Sequence, residues 1–329
     1  MSTAISWTNE TWNPVVGCEA VSEGCDHCYA KTLHDMRHRA HLAGKQMLPQ
    51  YHVPFEIVQL KPERLTHPLS WREPRRVFVN SVSDLFHKDV PLDFLDKCFV
   101  VMAYARRHTF QILTKRPHRM RDYMRSWANV GTDSAMQERW DAARKWLIEA
   151  IGQRPGAKKH GTYTIGYLQQ REYIGVMMAD TWTDGRVPPN IWLGTSVEHQ
   201  AAADKRIPQL LETPAAIRFL SCEPLLGPVD LKMFSPFVAH LGAAAVECKH
   251  GFDACPECDR GIDWVIVGAE SGQSRRGEAE YMGWLASIVG QCRAAHVPPF
   301  VKQDSALKSE QRGRIPDSLW IREYPTVAP

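Results

Sequence analysis

The alternation of short apolar runs with longer helix-like segments constrains this sequence more than any other feature. The apolar runs are rich in β-branched and aromatic residues and occupy 12–17, 75–81, 109–115, 190–196, 216–224, 264–271 and 298–303. Amphipathic stretches separate many of them, at 91–106, 117–151, 198–212 and 279–296. Strands that are apolar throughout are typical of a parallel sheet with helices on both faces. The sequence therefore predicts an α/β fold.

Polar side chains follow these apolar runs at the points where the strands should end. They are Asp84, Lys115, Glu198, Glu223, Glu270 and Lys302. In a parallel barrel the carboxyl ends of all strands meet at one mouth, whereas an open sheet gathers its ligands at a single switch point. Because the polar residues recur strand after strand, we predict a full or partial (β/α) barrel of the TIM type, forming a single domain over residues 1–329.

Two regions are too long to be simple connections between a strand and a helix. Residues 119–189 begin as a helical pattern and continue into a polar, glycine-containing stretch, which indicates an inserted helical segment or lid. Residues 236–262 interrupt a later unit and contain a cysteine-rich loop, which indicates an inserted metal site. Both insertions are expected to lie outside the regular barrel units.

Composition places the chain among soluble globular proteins, with 44% hydrophobic and 23% charged residues. No segment approaches the roughly 18 consecutive apolar residues that a membrane span needs, and the first residues lack a signal-peptide pattern. We therefore expect no membrane partner and a cytoplasmic location. Six of the nine cysteines fall in two clusters, and in a reducing compartment such clusters indicate metal ligands rather than disulfides.

The first cluster, in "GCEAVSEGCDHCYA", contains Cys18, Cys25 and Cys28. A structural zinc site normally closes four positions with protein ligands, and His27 or His34 is near enough in sequence to be a fourth ligand. A 4Fe-4S cluster held by three cysteines instead leaves one iron free for a small molecule. Following the first strand of a barrel, this loop would lie at the mouth. Both metal assignments remain open from the residues alone.

The second cluster repeats the same cysteine spacing in "CKHGFDACPEC" and adds a histidine. Its potential ligands are Cys248, His250, Cys255 and Cys258. This set fits a Cys3His zinc knuckle, a compact loop that the metal folds, and an auxiliary iron–sulfur cluster is the competing assignment. Of the remaining cysteines, Cys98 and Cys292 fall on apolar helical faces, and Cys222 is a small residue at a strand end. We predict that these are core residues.

Several segments together resemble a known family. "WTNETWNPVVGCEAVSEGCDHCYA", "FQILTKRPHRM", "NIWLGTSVEHQAAADKRI", "IRFLSCEPLLGPVDL" and "WVIVGAESG" are similar to a phage-associated three-cysteine-motif family, and the likeness covers most of the chain outside the two insertions. That family in turn resembles radical S-adenosylmethionine (SAM) enzymes. The resemblance implies a partial barrel of the radical SAM type and a 4Fe-4S cluster on Cys18, Cys25 and Cys28. It also implies SAM held at the unique iron and cleaved reductively, and a flavodoxin- or ferredoxin-like electron donor.

The sequence departs from the radical SAM pattern at two places. The cysteine gaps are six and two residues rather than three and two, and His27 stands where an aromatic residue is usual. The glycine-rich stretch that holds the SAM amino group is replaced by "NSVSD", where Asn80, Ser81, Ser83 and Asp84 offer acceptors.

Further roles follow from what SAM needs. Asp84 suits its ammonium group and Lys115 or Arg116 its carboxylate, while Val267 and Gly268 are expected to flank adenine. The strand-end glutamates Glu198, Glu223 and Glu270 are additional candidates for cofactor contacts.

The substrate is indicated only by basic segments with interleaved aromatic residues. "TKRPHRMRDYMR", "GAKKHGTY" and "SRRGE" suit phosphate contact, and base stacking is expected at Tyr123, Trp127, Tyr163 and Tyr167. Together with the phage association, this indicates modification or repair of a nucleobase in DNA or of a nucleotide, in the host cytoplasm if the chain is phage-encoded. A zinc-dependent nucleic-acid-binding protein without radical chemistry is the alternative, and a metal-dependent hydrolase using Glu198, Glu223 and Glu270 is a third hypothesis.

Overall fold

The computed structural model describes residues 3–128, 133–152, 187–233 and 261–326. Its strands are β1 (Glu10–Trp12), β2 (Val15–Val16), β3 (Gln59–Leu60), β4 (Arg76–Val79), β5 (Thr109–Thr114), β6 (Ile191–Ser196), β7 (Ile217–Cys222), β8 (Trp264–Gly268) and β9 (Pro299–Gln303). Its α-helices are α1 (Tyr29–Leu42), α2 (Leu92–Tyr104), α3 (Pro117–Ala128), α4 (Ser134–Gly152), α5 (Gln200–Leu211) and α6 (Tyr281–Ala294). The predicted α/β class is confirmed.

One seven-stranded sheet organises the molecule. The strand order is β1-β4-β5-β6-β7-β8-β9, and every neighbouring pair is parallel. The sheet curls into a half-barrel, which confirms the partial form of the predicted barrel. Because all strands run the same way, their carboxyl ends lie along one rim, where the polar residues that follow each strand are brought together.

The strands are buried on both faces, as their continuous apolar sequences predicted. Every residue of β6, β7 and β8 is buried. Along β8 the side chains alternate, so that Trp264 and Ile266 join an aromatic cluster with Phe219, while Val265 and Val267 join the larger core formed with the helices. Period-two alternation separates these two clusters on opposite faces of the sheet. The concave face is therefore filled by aromatic side chains below the rim.

The first predicted strand is divided in the structure. The apolar run at 12–17 contains the end of β1 and all of β2, and β2 pairs antiparallel with β3 outside the main sheet. Pro14 separates the two pieces, and proline interrupts regular strand pairing. This small second sheet holds the segment that leads into the first cysteine.

The predicted insertions are only partly within the described residues. The helical pattern at 117–151 forms two helices: α3 packs against α5, and α4 packs against α2. The rest of the 119–189 segment from residue 153 to 186 lies outside the described ranges, as do residues 236–260. The lid and the cysteine-rich metal loop with Cys248, His250, Cys255 and Cys258 therefore remain predictions.

The three cysteines outside the two clusters were predicted to be core residues. Cys98, Cys222 and Cys292 are each 0% exposed and belong to the core, as predicted.

Among the helices of the described ranges, none combines the length and apolar character that crossing a bilayer requires.

Candidate functional site at the rim of the half-barrel

A cavity of about 280 Å³ lies between the three-cysteine loop and the carboxyl ends of the strands. We call it the rim cavity. The sequence-predicted residues that line it are Cys18, Cys25, Cys28, Asn80, Ser81, Ser83, Asp84, Lys115, Arg116, Glu223, Glu270 and Lys302. The fold thus gathers residues from along most of the sequence at one place.

The three thiols occupy different local positions around this cavity. Cys18 follows β2, Cys25 ends a short 3-10 turn at Glu23–Cys25, and Cys28 is the residue that caps the N-terminus of α1. All three are half-buried and free of disulfides. No other cysteine of the described ranges is exposed at this rim, since Cys222 is completely buried.

Gly17 sets the position of the first thiol. Its φ is +92°, a left-handed conformation that disfavours residues with a Cβ. A Cβ at this position would lie 2.8 Å from the backbone oxygen of Phe55 and closer still to that of Ile57. The backbone of Cys18 then donates a 3.0 Å hydrogen bond to the Phe55 carbonyl. The tight packing of two backbone segments therefore fixes the start of the cysteine loop.

Arg116 joins the first thiol to Asp84. Its Nη1 donates to Asp84 Oδ2 at 2.9 Å and lies 3.7 Å from Cys18 Sγ. Burial raises the pKa of Cys18 to about 11, with Asp84 acting in the same direction and Arg116 opposing it. The thiol therefore keeps its proton at neutral pH until a stronger cation displaces it, as thiolate-binding metals do.

Asp84 is occupied by groups of the chain itself. In addition to Arg116, it accepts hydrogen bonds from Thr114 Oγ1 at 2.8 Å, the Lys115 backbone at 3.2 Å and the Phe86 backbone at 2.9 Å. Such a saturated carboxylate is a poor receptor for a ligand ammonium group. The structure therefore gives Asp84 the role of fixing Arg116 and the end of β5.

Asn80 is the residue of the predicted "NSVSD" stretch with capacity to spare. It is 2% exposed and has φ of 60°, which is uncommon for a residue other than glycine. Its Oδ1 accepts from the Val15 backbone at 3.3 Å, but its Nδ2 has no hydrogen-bond partner among the described residues. A buried amide donor without a partner at a cavity wall indicates that a ligand or water accepts from it.

The two serines of this stretch serve the local backbone. Ser83 Oγ donates to the Val15 carbonyl at 2.8 Å, and Ser81 Oγ donates to Asn13 Oδ1 at 3.2 Å. Tyr29 Oη also donates to the Ser81 carbonyl. These bonds hold the loop after β4 against the start of α1, so both serines shape the cavity wall.

Glu198 fastens the cysteine loop to the barrel from below. Its carboxylate pairs with Lys115, accepts from Arg206 Nη1 at 2.7 Å and accepts from Ser22 Oγ at 2.9 Å. It is completely buried, and a Cβ on Gly24 would lie 2.5 Å from its Cγ. Burial raises the pKa of Glu198, but Lys115 and Arg206 outweigh this and hold it at about 2. Glu198 is therefore a charged anchor for the loop.

This anchor predicts an acid-dependent stability. Because the folded-state pKa is depressed, the stabilisation is present above the ordinary value of 4.5 and is lost as the pH falls toward about 2. We expect Glu198→Gln to lower the free energy of unfolding by about 2–3 kcal/mol near neutral pH and the difference from the parent to shrink below about pH 4. Urea denaturation across this pH range measures the effect.

The matched control for this prediction is Glu212→Gln. Glu212 is exposed and pairs with Arg125 at 2.9 Å, so its removal should cost less than about 1 kcal/mol at any pH. A loss of stability in Glu198→Gln that does not change with pH would contradict the charged-anchor role.

Glu270 fastens the cysteine loop from the other side. It accepts from Arg276 Nη2 at 2.7 Å and lies 3.0 Å from His27 Nδ1. Arg276 also reaches Asp26 at 3.0 Å and the Glu23 carbonyl at 2.9 Å. Burial raises the pKa of Glu270, but the hydrogen bonds from Arg276 and His27 keep it below its ordinary value. Glu270 therefore positions the loop.

Glu223 and Lys302 form the remaining charged pair of the cavity. The two side chains contact each other directly at the ends of β7 and β9, and Lys302 also lies 3.5 Å from Glu310. Both are mostly buried, with 18% and 12% of their side chains exposed. Burial lowers the pKa of Lys302, but the Glu223 carboxylate outweighs this and raises it above its ordinary value. This pair offers one anion and one cation to a zwitterionic ligand.

Of the two residues predicted to flank adenine, Gly268 lies beside the rim cavity and Val267 does not. Val267 is 0% exposed and packs in the core on the helical side of β8, so it does not line the rim cavity. A Cβ on Gly268 would lie 3.4 Å from Glu223 Cγ, which places this glycine beside the cavity's charged pair.

The two histidines considered as fourth ligands have other partners. His34 is buried and its Nε2 lies 2.9 Å from the Val53 carbonyl, whereas His27 contacts Glu270. Within the described ranges, no three histidine, cysteine or acidic side chains are placed closely enough to surround a single metal ion.

Three functional contacts were not predicted from the sequence. The cysteine loop is tied to the strand ends by Arg276, which binds Asp26, and by Ser22, which binds Glu198; both pairs are far apart in sequence. Glu198 is in turn held by Arg206, which in the sequence is an ordinary arginine of a helical segment. A buried carboxylate needs a cation, so the strand-end glutamates were a signal that such partners existed, although not which residues they were.

Comparisons with known proteins identify a family. The family model described as "Protein of unknown function (DUF5131)" matches residues 2–323. No curated protein and no solved structure matches the chain.

Proposed function

The chain belongs to the DUF5131 family, and we propose that it is a radical SAM-type enzyme that uses a 4Fe-4S cluster on Cys18, Cys25 and Cys28. The observation that carries this proposal is the placement of three free thiols around one cavity. Among the described residues that line this cavity, His27 is the remaining candidate for a fourth position, and it contacts Glu270.

The donor set fits such a cluster. A single zinc ion needs its ligands gathered around one centre, whereas each thiolate of an iron–sulfur cluster binds a different iron, so its ligands stand further apart. Three thiols that line one cavity provide a separate thiolate for each of three irons. Arg116 beside Cys18 supplies a positive charge that favours thiolate ligation.

When bound, the cluster supplies an electron for reductive cleavage of SAM to methionine and a 5'-deoxyadenosyl radical. The chain's own residues bind and orient the cofactor. Lys302 and Glu223 match the carboxylate and ammonium groups of the SAM aminoacyl end, and Asn80 Nδ2 offers a further donor. This assignment replaces Asp84, which already accepts several hydrogen bonds from protein groups, and Lys115 and Arg116, which are held by the buried carboxylates of Glu198 and Asp84. Glu223 and Lys302 line the cavity as one pair of opposite charges, and a zwitterionic ligand is able to exchange its own two charges for that pairing.

The cysteine loop is held over the cavity by two ion-pair anchors. Glu198 with Lys115 and Arg206 holds Ser22, and Glu270 with Arg276 holds Asp26. Rigid placement of a reacting group lowers the entropic cost of the reaction. The same pairings weigh against the hydrolase hypothesis, since the carboxylates of Glu198 and Glu270 are neutralised by the cations of the two anchors.

Reconstitution of the full chain with iron and sulfide under anaerobic conditions tests the proposal. We expect a brown protein with about four irons bound at the first loop, which forms 5'-deoxyadenosine and methionine from SAM on chemical reduction. Metal analysis should be done in parallel for zinc, which the second cysteine loop is proposed to bind. A colourless protein with zinc at both loops would instead support the non-catalytic zinc-binding alternative.

A nucleobase in DNA or a nucleotide is the substrate that we propose, with modification or repair as the outcome and a flavodoxin- or ferredoxin-like protein as electron donor. The residues predicted to stack on bases do not support this at their predicted positions. Tyr123 and Trp127 are 3% and 2% exposed and pack in the core, so they are unavailable for stacking, and Tyr163 and Tyr167 lie outside the described residues. The support must come from another surface.

A further inference from the structure

A second and larger cavity, of about 1360 Å³, lies beside the edge strand β1. We call it the basic groove. Its walls are β1, the C-terminal half of α1, the segment 44–52 and three side chains further along, Arg64, His67 and Trp71. It shares no lining residue with the rim cavity, so the proposed radical chemistry leaves it without a role.

The charge of the basic groove has one sign. Its ionisable lining side chains other than tyrosine are Arg37, Lys45, Arg64, His41, His52, His67 and Glu10. Glu10 is the one carboxylate among them, it is 3% exposed, and it pairs with Arg75 at 2.5 Å. A concave surface lined by cations with its single acid neutralised attracts a polyanion.

Cations border the basic groove on α1 and on the segment that follows it. Arg37 and His41 are four residues apart on α1 and lie along one face of the helix, but burial and the neighbouring His52 and His38 lower the pKa of His41, so Arg37 is the cation there. The helix then ends: the Lys45 backbone donates to the Ala40 carbonyl at 3.0 Å and Gly44 has a φ of +81°, so Lys45 lies on the segment after α1. Positive charge distributed along the groove at Arg37, Lys45 and Arg64 suits the phosphates of a nucleic acid strand.

The facing wall is fixed rather than loose. His34 Nε2 lies 2.9 Å from the Val53 carbonyl and His38 Nδ1 lies 2.8 Å from the Tyr51 carbonyl. Arg64 Nη1 donates to the Asn13 carbonyl at 3.3 Å. Helix α1, which carries Arg37, therefore also holds the opposite wall of the groove through His34 and His38.

Flat rings lie among these cations. His41 and His52 stack with ring centroids 3.9 Å apart and planes within 9°, and His52 is exposed to solvent. The Tyr51 ring is buried beneath the Arg37 guanidinium, 4.9 Å away, so the accessible rings are those of His52 and of Trp71, whose indole is half-buried. Rings that alternate with cations are the arrangement on which single-stranded nucleic acids stack, whereas an acidic peptide would use only the charges.

We propose that the basic groove binds a single-stranded stretch of nucleic acid and presents a nucleotide to the rim cavity. Tyr29 at the start of α1 lines the rim cavity and His41 near its end lines the basic groove, about 18 Å apart at 1.5 Å per residue. A few nucleotides of extended strand span that distance. This inference rests on the proposed function for the fate of the nucleotide, but the binding itself does not.

Fluorescence anisotropy with a labelled oligothymidylate of about 12 nucleotides tests the binding at several salt concentrations. We expect Lys45→Glu to weaken binding by about tenfold and to flatten the salt dependence by roughly 0.7 in the logarithmic slope. His52→Ala should weaken binding by a comparable factor through the loss of stacking, with little change in slope. The matched control is Lys205→Glu on the exposed side of α5, which should bind like the parent.

The outcomes separate this inference from the proposed function. Weaker binding in both groove variants but not in Lys205→Glu supports the basic groove. No binding by the parent, equal weakening in Lys205→Glu, tighter binding of duplex DNA, or displacement of the oligonucleotide by polyglutamate at equal charge would each overturn it. Iron and sulfide uptake measured on the same samples reports on the cluster alone, so either proposal is able to fail while the other stands.

Discussion

A chain with Cys25→Ala should lose iron–sulfur absorption and all SAM cleavage while remaining folded. The thiol is half-buried at the end of a short 3-10 turn, so its removal creates no core cavity. With only Cys18 and Cys28 left, two thiolates hold a cluster far more weakly than three. We expect product formation to fall by at least about a thousandfold, to the background rate, because no other described thiol reaches the site.

Cys222→Ala is the matched control for this variant. Cys222 is the last residue of β7, at the carboxyl end of a strand, but it is 0% exposed and packs in the core. Its loss should reduce stability by about 1–2 kcal/mol through a small cavity and leave iron uptake per folded protein unchanged. Full iron uptake and SAM cleavage by Cys25→Ala would contradict the assignment of the first loop. Loss of both in Cys222→Ala at equal folded content would contradict the assignment of the ligands.

The second large effect is expected from Gly17→Ala, which should disturb both stability and the cysteine loop. A Cβ there meets the backbone oxygens of Phe55 and Ile57, and backbone atoms move only with their whole segment. The left-handed φ of +92° adds a cost of about 1–2 kcal/mol for any residue with a Cβ. We expect a total loss of roughly 3–4 kcal/mol in the free energy of unfolding, with impaired iron uptake, because Cys18 follows directly.

Gly44→Ala separates the cost of the left-handed φ from the cost of the close contacts that a Cβ makes at Gly17. Gly44 also has a positive φ, of +81°, but a Cβ there meets nothing within 4 Å. Its substitution should therefore cost only the conformational term of about 1–2 kcal/mol and leave iron uptake intact. Urea denaturation and iron analysis of both variants make the comparison. Equal destabilisation by the two substitutions would show that the contacts of Gly17 with residues 55 and 57 do not hold the loop.

Some of the site was within reach of the sequence because it depends on local pattern. Continuous apolar runs followed by polar residues predicted parallel strands whose ends share one rim, and Asp84, Lys115, Glu223, Glu270 and Lys302 do line one cavity there. A parallel sheet leaves little freedom in this respect, since all its carboxyl ends lie on the same side. To predict that the three thiols lie at this rim, it was enough that their loop follows the first strand.

The partners of individual charged side chains could not be predicted from the sequence. The strand-end position of Asp84 predicts a contact with a ligand ammonium group, but Thr114 and Arg116 already bind this carboxylate, and Glu198 is a buried anchor. Pairings of this kind depend on angles and distances between strands, which no local pattern records. The aromatic residues Tyr123 and Trp127 were misassigned for a related reason, since an amphipathic helix does not state which neighbour will cover its rings.

By itself the sequence determined the α/β class, the parallel strands and the three-thiol loop, because hydrophobic periodicity and cysteine spacing are properties of neighbouring residues. Only the tertiary structure decided that the barrel is a half-barrel, that two ion-pair anchors hold the loop, and that cations and rings line a groove beside β1. These features join residues that are distant in the chain, and their contacts exist only once the core has packed.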